Sequence, residues 1–107
     1  MSKVKKVIRD GKVAVLISLD FGAGWSTWNE GFEKTLLFDE HLVKMVEQGR
    51  QDEITDDFMF KNYGLDNICL AGVADLKIEW LPIGTRFYVE DYDGSETIIT
   101  EESFLTA

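Results

Sequence analysis

A chain of 107 residues that is 45% apolar, with seven Phe, three Trp and three Tyr, has enough buriable surface for one hydrophobic core and too little length for two. That excludes both a disordered chain and a two-domain one. Twenty acidic against eleven basic side chains give a formal charge of −9, which repels nucleic-acid phosphates and anionic lipid. Lys3, Lys5, Lys6, Arg9 and Lys12 against Asp10 make the opening stretch basic, so the remainder is more anionic than the total suggests.

The first element in chain order is a hairpin, Val4 to Arg9 and Lys12 to Leu19, with Asp10-Gly11 supplying the positive φ angles of a two-residue turn. Val13, Val15, Ile17 and Leu19 fall on one face and Ala14 and Leu16 on the other, the pattern of a central strand covered on both sides. Asp20 to Gly31 follows as an aromatic loop with glycines at 22, 24 and 31 and indoles at 25 and 28. Asp39 is placed to cap a helix from Glu40 to Gln48, with Phe38 and Val43 at staple spacing and Gly49 as its stop. Its inward stripe is Leu42, Val43 and Val46, with Met45 alongside, and Glu40 and Lys44 pair outside. A second helix is predicted over Asp56 to Asn62, capped by Thr55 and ended by Gly64, with Phe58 and Met59 facing in. Ile68 to Ala74 is apolar and small, and periodicity leaves it open between a strand and a buried connection. Leu76, Ile78 and Trp80 alternate with Lys77 and Glu79 as a half-buried strand up to Pro82.

Thr85 to Tyr92 and Glu96 to Glu101 flank Asp93-Gly94 as a last hairpin, whose register sets Val89 opposite Ile98, Tyr88 opposite Ile99 and Arg86 opposite Glu101. The expected fold is therefore α+β: an antiparallel sheet of about five strands, from an N-terminal and a C-terminal hairpin, with two short helices between them. The chain is one domain, 1–107.

The same register puts Asp91 opposite Glu96, a like-charge pair that costs stability and needs a reason. With Asp93 they form a candidate acidic docking patch for Lys or Arg of another protein; the plainer reading is an exposed tip screened by water. A calcium loop of the EF-hand type does not fit, because its first and last ligand positions would fall on Val89 and Thr100. His41 and Cys69 are the only histidine and cysteine, so no metal site of His and Cys ligands, no internal disulfide and no cofactor is expected. Ser18, Ser26 and Ser95 lack a nucleophile-elbow context, and no catalytic residue is assigned.

The Gly22 to Asn29 segment is the other candidate. Gly22 and Gly24 allow close backbone approach, Trp25 and Trp28 offer flat apolar faces, and Asn29 carries a donor and an acceptor. That set suits a ring-bearing ligand or a protein hot spot, unless both indoles fold back as lids on the core. Between the two, the more polar neighbours Thr27 and Asn29 favour Trp28 as the exposed indole.

The stretches Phe21-Gly22-Ala23-Gly24-Trp25-Ser26-Thr27-Trp28-Asn29, Leu37-Phe38-Asp39, Trp80-Leu81-Pro82-Ile83-Gly84-Thr85-Arg86-Phe87 and Glu90-Asp91-Tyr92-Asp93-Gly94-Ser95-Glu96 resemble a family of small uncharacterised proteins of tailed bacteriophages. The resemblance covers most of the chain and carries no activity or functional residue with it. It implies a bacterial host cytoplasm and an accessory role. That matches the lack of a cleavage pattern after Lys3, Lys5 and Lys6, and of any apolar run near the roughly 18 residues of a membrane span. The expected function is a non-enzymatic binding protein that takes a host protein or a small-molecule ligand, with no nucleic acid and no membrane. The alternatives are a small hydrolase or transferase whose carboxylates, among them Asp20 and Glu90 to Glu96, meet only in the fold, and a structural component acting as a homo-oligomer.

Overall fold

Asp10 and Gly11 both take positive φ, 51° and 74°, and turn β1 (Ile8–Arg9) directly into β2 (Lys12–Ser18). This is the two-residue turn that the Asp-Gly pair favours. The computed structural model describes residues 4–19, 22 and 24–100; Asp20, Phe21, Ala23 and Glu101 lie outside them. β2 lies between β1 and β3 (Leu76–Pro82) in a three-stranded antiparallel sheet, with Ala14 opposite Trp80 and Leu16 opposite Ile78. Pro82 fits this edge strand because the Ile83 N–H, and not residue 82, donates to Gly11 O. The ring nitrogen of Pro82 thus faces away from β2, where no donor is required.

The two faces of β2 are both covered, as its double apolar pattern predicts. On one, Ala14, Leu16 and Leu76 meet Leu42, Val43 and Met45 of α2 (Glu40–Glu47) and Met59 of α3 (Asp56–Tyr63), with Trp25 and Leu36 closing the same core. Val46 and Phe58 pack against it half-buried. On the other, Val15 and Ile17 meet Leu37 of α1 (Glu33–Phe38), with Phe38, Leu81, Phe87, Val89 and Ile98 around them. The second core needs the last hairpin, β4 (Phe87–Tyr92) and β5 (Ser95–Thr100), which forms a ribbon of its own. The five antiparallel strands are thus divided between two sheets. The ribbon's register is the one its turn implies, with Val89 opposite Ile98, Tyr88 opposite Ile99 and Asp91 opposite Glu96.

Helix boundaries follow the capping residues. The Asp39 carboxylate accepts from the His41 and Leu42 N–H groups at the start of α2, and Gly49 has φ 69° after its end. Thr55 Oγ1 accepts from the Phe58 N–H, and Gly64, at φ 67°, ends α3. The Tyr63 hydroxyl donates to Asp39, tying the end of α3 to the cap of α2. Residues 68–72 form an irregular connection leading into the turn Val73–Asp75, which resolves the open segment as no strand. Among the described residues, no helix is long and apolar enough to cross a membrane.

Candidate functional site

The aromatic loop closes around one carboxylate. Glu96, only 2% exposed, accepts from the Ser18 N–H at Oε1 (2.8 Å). Its Oε2 accepts from the Trp25 N–H (2.8 Å), the Thr27 N–H (3.1 Å) and the Thr27 hydroxyl (2.7 Å). These donors form a concave nest of the kind that stabilises an anion without a cation. Gly24 makes the approach feasible: a Cβ there would stand 2.5 Å from Thr27 Oγ1, 2.7 Å from Trp28 Cδ1 and 3.1 Å from Glu96 Oε2. Two further bonds fix the ribbon's tip to the end of β2, from the Gly22 N–H to Asp93 O (2.6 Å) and from the Ser95 hydroxyl to Leu19 O (2.8 Å).

The reason for the like-charge pair is now visible. Asp91 and Glu96 share a face of the ribbon, but Glu96 is spent on the loop, while Asp91 accepts from Trp28 Nε1 (3.1 Å) and from the Gly94 N–H (2.8 Å). Both charges are offset by donors, none of them cationic. Glu96 therefore leaves the acidic patch drawn from the sequence, while Asp91 and Asp93 stay exposed.

The indoles of the loop have opposite fates. Trp25 is fully buried and donates from Nε1 to Leu36 O (2.7 Å). Trp28 is 42% exposed. Asn29 is buried with its amide committed: Nδ2 donates to Trp25 O and Cys69 O, and Oδ1 accepts from the Cys69 N–H. Gly24, Trp25 and Asn29 therefore hold the loop's shape, and Gly22 and Trp28 alone of the five candidates remain at the surface. His41 and Cys69 have separate partners, the Phe58 ring at 5.3 Å for the imidazole and Asn29 for the Cys69 backbone. Among the described residues, no three His, Cys, Asp or Glu side chains converge as metal ligands.

The concavity beside this loop lies on residues that, apart from Asp91, sequence reasoning did not single out for a site. A groove of about 610 Å³ runs between α1 with the preceding turn and β4, lined by Leu37, Phe38, Phe87 and Val89 on its floor and by Glu30, Glu33 and Asp91 among its polar residues. Among the described residues, every charged side chain lining it is acidic. The Gly31 N–H and the Glu33 N–H hold the Glu33 carboxyl below the usual carboxylate range, so the rim keeps this charge into mild acid. Phe38 already carries a cation, Lys6 Nζ at 4.5 Å from the ring centroid, and stands edge-on to Phe87 at 6.1 Å. An apolar floor with acidic walls can take an alkyl or aromatic side chain together with an ammonium or guanidinium. Glu30 and Glu33 carry no motif in the sequence, because they reach the groove only through α1 and the turn before it.

Compared with family models, with curated proteins and with solved structures, the chain matches none.

Proposed function

We propose that the chain is a non-enzymatic binding protein whose groove between α1 and β4 docks a protein segment bearing apolar side chains flanked by Lys or Arg. The observation that carries this reading is the groove itself, apolar beneath and, among the described residues, exclusively acidic in its charged lining. Charge of one sign around a low-dielectric floor steers an opposite charge in and holds it once there. The surplus of acid over base in the whole chain acts in the same direction. With the resemblance to small phage proteins, the partner would be a protein of the bacterial host.

The carboxylate-based enzyme is the weaker reading. Glu96, the buried charged side chain of the described residues, has its acceptor sites occupied by four donors and so serves the fold rather than proton transfer. Capture of a ligand inside the Gly-Trp loop is also less favoured, since Trp25 and Asn29 are engaged internally.

Selection from a random octapeptide library tests the proposal, with the parent chain and the Glu30→Gln/Glu33→Gln variant as parallel baits. The parent is expected to enrich peptides that combine Lys or Arg with apolar residues, and the variant to lose them. Enrichment without basic residues, or equal enrichment by both baits, would remove the groove as the docking site.

A further inference from the structure

We propose that the outer edge of β4 receives the partner as an added strand, so that the docked segment is extended and basic and pairs through its backbone with Phe87 and Val89. The inference rests on the groove reading and deepens it, from a surface that attracts cations to one that fixes the conformation of what it binds.

Among the described residues, β4 has one strand neighbour, β5, in a two-stranded ribbon. Asp93 and Gly94 turn the chain with φ 51° and 91°, a two-residue loop that makes Tyr92 and Ser95 the hydrogen-bonded closing pair. Antiparallel pairs alternate from there, so Glu90 and Tyr88 turn their N–H and C=O groups toward β5, while Val89 and Phe87 turn theirs to the outside. The first hairpin shows the same alternation: the closing pair is Arg9 and Lys12, and two residues on the Ala14 N–H donates to Val7 O (3.0 Å). The outward groups of β4 lie along the groove, because Phe87, Tyr88 and Val89 all line it. The Trp28 indole, bonded to Asp91, marks one end of this open edge.

An unpaired edge is a template for another strand, and proteins commonly protect such edges with charge. Here the charge is acidic, on Glu90 and Asp91 of the strand and Glu30 and Glu33 across the groove. It selects among incoming strands. A second copy of this chain would bring the same carboxylates and a further −9 to the contact, whereas a strand with Lys or Arg among the side chains it turns into the groove meets opposite charge. Successive strand residues point to opposite faces, so the apolar side chains that lie on Leu37, Phe38 and Val89 share one face of the incoming strand with the Lys or Arg that meets Asp91, Glu30 and Glu33. Backbone pairing for affinity with alternate side chains for selectivity is a recurring mode of peptide recognition.

Amide hydrogen exchange by NMR on the intact chain tests this. The probe is a pool of octapeptides with Lys, Arg, Val, Leu and Tyr mixed at the odd positions, which share one face of a strand, and Ser or Thr at the even ones. The Phe87 and Val89 amides should exchange fast in the free protein and about tenfold or more slowly when the pool saturates it. Methylating alternate backbone nitrogens of the pool should weaken binding by about tenfold, the loss of one or two hydrogen bonds. Binding that shifts groove resonances but leaves both amides unprotected overturns the strand pairing while the groove reading stands. Failure of every member to bind overturns both. Protection that grows with protein concentration in the absence of peptide assigns the edge to a second copy and overturns the basic segment.

Discussion

Replacing the Glu96 carboxylate by its amide keeps the side chain's size and turns one of its two acceptors into a donor. Whichever way Gln sits, its NH2 faces either the Ser18 N–H or the donors of Trp25 and Thr27. Glu96→Gln should therefore cost about 2–4 kcal/mol, the scale of a buried donor left unmatched plus lost charge-assisted bonds. A urea midpoint shifted by less than about 1 kcal/mol equivalent would mean that the loop is not held by this carboxylate. The indoles separate in the same assay. Trp25→Ala removes a fully buried ring and should cost about 3–5 kcal/mol, whereas Trp28→Ala, with a ring 42% exposed, should cost less than about 1. Equal costs would contradict their placement. The polar neighbours of Trp28 made its exposure legible in the sequence. The burial of Glu96 was not legible, because its donors come from positions 18, 25 and 27, about seventy residues away along the chain.

Elements whose limits are set by local chemistry were the readable ones. Asp39, Thr55, Gly49 and Gly64 act within a turn of where they stand, so both eight-residue helices could be located from their caps. Helix α1 had no such marker: Phe32 occupies its N-cap position without a side-chain bond, and Asp39, which ends it, begins α2 at once. The joint between α2 and α3 gives a pH test. Burial, then the Asp39 carboxylate, raises the Tyr63 hydroxyl above its ordinary 10.0. A group whose folded value is raised contributes stability that is complete below the unfolded value and is lost as pH rises past it. The parent should therefore lose stability above about pH 10 more steeply than Tyr63→Phe, which has no hydroxyl to ionise. Parallel stability curves for the two through that range would show that the contact does not bias the equilibrium.

At the scale of the whole molecule, the sequence carries the strands and their registers but not their division into two sheets. That division depends on β2 pairing with β3 across more than half the chain, and on the ribbon covering Val15 and Ile17 from the other side. The groove is a product of this arrangement, since α1 and β4 meet only because both cover the same face of β2. Of its acidic rim, Asp91 was legible at the tip of the last hairpin, while Glu30 and Glu33 were legible only as net charge, without a location. The most direct measurement is the affinity of the octapeptide pool, whose basic and apolar side chains share one strand face, for the parent and for Glu30→Gln/Glu33→Gln, at about 0.05 M and about 0.5 M salt. The parent should bind about fivefold or more tightly than the variant at low salt, and most of that advantage should vanish at high salt. Equal affinities for the two proteins at low salt would contradict the assignment of the groove as the site for a basic partner.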